Sequence, residues 1–149
     1  MKHAAKLGKK LGKAEKELIA AATKAIKQRY RDDWQEVGAA LRTRSGKIYA
    51  GVNLDAYLGR MAVCAEAVAL GRAVVDSGDA GIDLIVAVRH PPLQEKDQTI
   101  AVVSPCGACR ELIFDYDPRA RVIVPNGKSP TVVPISELLP NKYSRGSER

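Results

Sequence analysis

The sequence predicts a mixed α/β domain, a sheet of parallel and antiparallel strands covered by helices on both faces. Three observations predict it. Strand-like and helix-like segments alternate along most of the chain, the pattern that builds layered sheets. Ile82 to Val88 is a nearly continuous apolar run, which suits a strand buried on both faces. Cys64 and Cys106 each stand where an extended segment gives way to a helical one, the place where such sheets bind ligands.

Taken in order, residues 1–13 set two glycines among lysines and read as a loosely ordered basic extension. From Ala14 to Arg31, Leu18, Ala21, Ala22, Ala25 and Ile26 recur at helical spacing with charges opposite, which predicts a packed amphipathic helix. Val37 to Leu41 and Ile48 to Val52 read as short strands. The turn chemistry of Arg44-Ser45-Gly46-Lys47 between them makes a hairpin. Asn53 to Val63 is a loop, Ala65 to Val75 a helix stopped by the Gly/Asp cluster of Ser77 to Gly81, and Ile82 to Val88 the central strand. His90 to Gln98, with Pro91-Pro92 and several charges, reads as an exposed connection. A strand at Ile100 to Val103 leads into a helix at Cys106 to Tyr116. Arg121 to Val124 is a strand, Asn126-Gly127 a turn, Thr131 to Val133 an extended piece and Ser136 to Leu139 a helical turn. One domain over 14–143, with a tail at 144–149, accounts for the chain, and its 149 residues suffice for a core without staples.

Charge is segregated. Residues 1–31 hold ten Lys/Arg against two Glu, whereas 32–149 hold 14 basic and 15 acidic residues, so the net +7 belongs to the N-terminal part. No aromatic residue interleaves those lysines to stack bases, so a solvated helical face is expected and nucleic acid is not an expected partner. No stretch is apolar for the roughly 18 residues of a membrane span, so no membrane partner is expected. Three cysteines, an odd number, argue against a disulfide framework and for a reducing cytoplasm.

The chemistry concentrates in Cys64-Ala65-Glu66 and Pro105-Cys106-Gly107-Ala108-Cys109-Arg110. Cys106 and Cys109, three apart on a first helical turn, share a face and can grip one metal. Three thiolates leave the fourth position of a tetrahedral zinc open for water, and an open site is catalytic in design. Glu66 is then not needed as a ligand and suits proton transfer. Two helix N-termini aimed at the site would offset the negative charge of zinc with three thiolates. Three other readings compete: a Cys106/Cys109 redox pair, a structural zinc closed by His90, and three unrelated buried thiols.

Cys-x-Glu followed by Pro-Cys-x-x-Cys resembles the zinc-deaminase signature in its three-cysteine form. With Val37-Gly38-Ala39-Ala40-Leu41, Gly51-Val52-Asn53 and Glu137-Leu138-Leu139-Pro140, the chain resembles the cytidine deaminase superfamily, which includes blasticidin-S deaminases, from about Ala14 to Tyr143. The resemblance implies a three-layer α/β/α sandwich with a five-stranded mixed sheet and a homo-oligomer, a tetramer or a dimer. It implies one zinc per subunit on Cys64, Cys106 and Cys109, with Glu66 as proton shuttle. It also implies that the Ala65 N–H holds a pyrimidine carbonyl, that Asn53 and Asp55 bind ribose, and that Tyr143 contacts substrate in its own or a neighbouring site. Gln35-Glu36 replaces the usual Phe-Pro pair, Ala67 replaces a frequent arginine, and Asp55 stands for a glutamate one methylene longer. The implied reaction is hydrolytic deamination of cytidine or deoxycytidine. Blasticidin S or another amino-heterocycle is the alternative substrate, and polynucleotide editing a third reading.

Overall fold

The structure is a computed structural model and describes residues 10–145. The expected basic extension therefore lies mostly outside the described residues, as does most of the expected tail. The first helix, α1 (Lys13–Arg29), opens with Glu15 reaching back to the Gly12 N–H at 2.8 Å, which satisfies one donor of the first turn. It ends two residues earlier than its periodicity predicts, because Tyr30 turns extended and stacks on His90, with ring centroids 3.7 Å apart.

Strands β1 (Val37–Thr43) and β2 (Ile48–Val52) form the expected hairpin, with Gly46 at φ 93° in its turn. After α2 (Ala65–Ser77), the central strand β3 (Ile82–Arg89) pairs antiparallel with β1 along its whole length. On the other edge of β3, β5 (Arg121–Val124) runs parallel to its beginning, and β4 (Ala101–Val103) antiparallel to its end. β6 (Thr131–Pro134) pairs antiparallel with β5. The sheet is therefore mixed, but it has six strands where five were expected. The sixth is β6, where only an extended piece was expected; the strand expected at Ile100 to Val103 is β4, which the 90–100 connection returns along β3 ahead of α3 (Gly107–Tyr116).

Side-chain alternation sorts the core into two layers. Leu84, Val86, Val88, Ala40 and Ile123 face Leu18, Ala22 and Ile26 of α1. Ile85, Ala87, Ala39, Leu41, Val122 and Val124 face α2 and α3 on the opposite side. This is the expected three-layer sandwich. Gly51 permits the close fit of α2 on β2, since a Cβ there would lie 2.7 Å from the Ala69 nitrogen. The same contact fixes the N-terminus of α2, which carries Cys64 and Glu66. The 90–98 connection is less exposed than expected, because Pro91 and Pro92 are buried.

Asp117, buried at the end of α3, ties the far end of the sheet together. Its carboxylate accepts from the Ile82 N–H (3.0 Å), the Arg119 N–H (2.9 Å) and Arg44 Nε (2.9 Å). Burial opposes its ionisation, but Arg44 and these amides outweigh burial and hold its carboxyl below the usual range. A depressed native pKa adds stability that is complete above the unfolded value of about 3.9 and lost as pH falls through the native one. The thermal midpoint of the zinc-loaded protein should thus drop below about pH 4. Thermal melts of Asp117→Asn at the same pH values should show a lower midpoint near neutrality and a smaller acid loss. An equal acid loss in both proteins would remove Asp117 as a cause.

Candidate active site

Both helices that cover the inner layer begin at the same place. Cys64 is the N-cap residue of α2, and Cys106 that of α3 with Cys109 one turn inside. The three sulfurs lie within 4.8 Å of one another, and Cys64 Sγ is 3.7 Å from Cys106 Sγ. A tetrahedral zinc with Zn–S bonds near 2.3 Å sets its sulfurs about 3.8 Å apart, so the cluster fits zinc, as does its soft thiolate donor set. No fourth Cys, His, Asp or Glu joins it among the described residues. His90 is elsewhere, stacked on Tyr30 with Nδ1 2.8 Å from the Pro91 carbonyl, so the closed four-ligand site is not formed.

The thiols differ. Burial, then the neighbouring Glu66 charge, push Cys109 well above the ordinary thiol range, and burial together with Cys106 raises Cys64. For Cys106 burial is outweighed by the Cys109 N–H and the adjacent sulfurs, and its pKa falls. Zinc binding would displace whatever protons these thiols carry.

Glu66 sits in the first turn of α2, is only 6% exposed, and still lines the cavity in front of the sulfurs. Burial raises its pKa, partly offset by its own backbone N–H and by Cys109. A carboxyl held above its normal range between a cavity and a thiol cluster is suited to taking and returning a proton. The cavity, about 350 Å³, is also lined by Val37, Asn53, Asp55, Ala65 and Cys106. The Ala65 amide precedes the first bond of α2, made by Ala67, and has no protein acceptor among the described residues.

Other expected residues fare differently. Asp55 is exposed at the rim, with Oδ1 accepting from the Ala56 N–H at 2.7 Å. Asn53 is engaged by protein: Oδ1 accepts from the Glu36 and Val37 N–H groups, and Nδ2 donates to the Trp34 carbonyl, each at 3.0 Å. Tyr143 is 78% exposed and does not line the cavity; the preceding Lys142 pins the segment to Glu111 and Asp115 of α3. Arg110 donates to the carbonyls of Pro105 and Leu138 and so braces the entry to Cys106. The 90–98 connection contributes no lining residue. Sequence reasoning missed the aromatic pair of Trp34 and Tyr57, edge to face at 5.3 Å, with Arg31 over the Trp34 ring. Its only signal was a tryptophan three residues before β1.

The model of the cytidine and deoxycytidylate deaminase zinc-binding region matches residues 13–125. The chain belongs to this deaminase family. It is 49% identical over 129 residues to a blasticidin-S deaminase of Bacillus cereus, covering 87% of this chain and 91% of that one. It is 33% identical over 139 residues to a cytidine deaminase of Sporosarcina psychrophila, covering 86% and 90%. The crystal structure of cytidine deaminase from Burkholderia pseudomallei superposes with a TM-score of 0.68 at 28% identity, covering 86% of this chain and 98% of that chain. As a member, the chain is a zinc-binding hydrolase that cleaves an amidine C–N bond. The thiol cluster, joined by Cys64, leaves neither a bare redox pair nor three unrelated thiols as its explanation.

Proposed function

We propose that this deaminase acts on a free cytosine nucleoside, replacing the ring amino group with a carbonyl and releasing ammonia. The observation that carries this reading is a single cavity lined by Glu66, by Cys64 and Cys106 of the thiol cluster, by the free Ala65 amide and, at its rim, by Asp55. Cys64, Cys106 and Cys109 would hold zinc, which when bound supplies the Lewis acidity that makes water nucleophilic near neutral pH. Ala65 N–H donates to the ring carbonyl oxygen and orients the base. Glu66 accepts the proton of the attacking water and delivers it to the ring nitrogen, which makes the amino-bearing carbon electrophilic. Glu66 then takes the second water proton from the new hydroxyl and passes it to the departing amine as the C–N bond breaks and the carbonyl forms, so water and amine exchange with no net change in charge. Asp55 accepts a sugar hydroxyl.

Two substrates compete within this class. Cytidine and deoxycytidine are favoured by Asn53 and Asp55 at the spacing of the ribose-binding pair. Blasticidin S is favoured by the 49% identity to a deaminase of that name and by the changed loop from Ala56 to Val63, whose Tyr57, Leu58 and Met61 are exposed. The enzyme is read as a cytoplasmic homo-oligomer, a tetramer by its family, in which the exposed Tyr143 reaches a neighbouring site. Ammonia release from cytidine, deoxycytidine, cytosine and blasticidin S decides. Turnover of a nucleoside and none of free cytosine is expected, and whichever nucleoside has the highest kcat/KM names the substrate. Zinc-loaded protein inert on every nucleoside would overturn the reading.

A further inference from the structure

We infer that Lys142 is a positioning residue: its ammonium locks the C-terminal segment onto α3 and fixes the direction in which Tyr143 is presented, away from the chain's own cavity. The inference deepens the proposed function and rests on its reading that Tyr143 meets substrate from a neighbouring copy. An ammonium offers three N–H donors. In Lys142 all three have partners: Glu111 Oε2 at 2.9 Å, Asp115 Oδ1 at 2.8 Å and the Tyr143 carbonyl at 2.8 Å. The side chain is only 8% exposed, a degree of burial that lysine reaches when it is paired. Its Nζ also lies 5.4 Å from the centroid of the Phe114 ring.

The partners on α3 follow from helix periodicity. Residues 111, 114 and 115 are three and four apart, so two carboxylates and one ring share a face on which a single ammonium can seat. The chain turns to meet that face at Asn141, whose φ of 52° is in the left-handed region. Ahead of the turn, Arg110 Nη1 donates to the Leu138 carbonyl at 3.2 Å, so the segment is fastened to α3 at two points. What Lys142 holds directly is the Tyr143 backbone, while the exposed ring is left to meet a ligand. A segment ordered in advance gives up little when substrate arrives. A loose one must be ordered at that moment, which for one such side chain weakens binding roughly two- to tenfold.

Hydrogen exchange reads the lock, and steady-state kinetics reads its purpose. In zinc-loaded, substrate-free protein, Lys142→Met should speed exchange of the 139–145 amides. Glu111→Gln combined with Asp115→Asn strips the same lock from the α3 side and should do likewise; it serves if the methionine variant folds poorly. With cytidine and with blasticidin S as substrates, both should raise KM roughly two- to tenfold and leave kcat in place, a split that mere loss of folded enzyme does not produce. Tyr143→Ala should raise KM at least as far, and adding Lys142→Met to it should change nothing more. Unchanged exchange in both lock variants overturns the inference whatever the substrate. So does a KM that stays put in Lys142→Met when Tyr143→Ala raises it, or additive losses in the double variant. An unchanged KM in Tyr143→Ala alone strikes out the substrate contact itself, and the inference with it.

Discussion

Replacing Glu66 with glutamine is expected to lower kcat by roughly 10²- to 10⁴-fold, the range that a positioned general acid–base supplies, while KM, zinc content and fold stay in place. Glutamine fills the same volume in the first turn of α2, so neither the packing beside Cys109 nor the cavity changes shape. What disappears is the proton that must travel from water to ring nitrogen and on to the amine. Stability should move the other way. Burial raises the native pKa of Glu66 above its unfolded value, so the ionised carboxylate opposes folding at neutral pH. Glutamine removes that opposition, and the variant should melt at or above the wild-type temperature. Single-turnover kinetics, metal analysis and a thermal melt check the three parts. A variant that keeps more than a tenth of kcat would remove Glu66 from the proton path.

Those features of the site that depend on short spacings were legible in the sequence. Cys106 and Cys109 are one helical turn apart, and Cys64 and Glu66 stand together at the start of α2, so residue type and spacing alone pointed to one metal and one acid–base group. The central strand was equally plain, because a strand between two helical layers must be apolar on both faces. What stayed hidden depends on partners distant in sequence. The bonds of Asn53 reach 16 to 19 residues back. The end of α1 is set by Tyr30 meeting His90, sixty residues on. That β4 pairs antiparallel with the end of β3 depends on the connection before it folding back, which no local pattern announces. The 3₁₀ turn Gly59–Met61 carries no capping or periodic signal.

The largest stability effect should come from the metal. Thiols crowded at the start of α2 and α3 join two helices that otherwise touch sparsely, and zinc would link them while replacing their protons. Cys106→Ser is the sharper probe, since Cys106 is exposed whereas Cys109 is 2% exposed in the core, where any change also disturbs packing. Loss of a residue that only supports a ligand already weakens metal binding 10- to 100-fold, so loss of a direct thiolate should exceed about 100-fold. The expected result is a chain that is isolated without zinc, does not release ammonia, and melts where chelator-treated wild type melts. Added zinc should raise the wild-type midpoint, by about 4 kcal/mol of stability at a thousand times Kd, and raise that of Cys106→Ser by no more than about 1.4 kcal/mol at the same concentration. If Cys106→Ser retained one zinc per chain and full activity, the three-sulfur site would be wrong. If it retained zinc but lost activity, the serine would be holding the metal in a site whose charge no longer suits catalysis, and Cys109→Ala would then separate binding from chemistry.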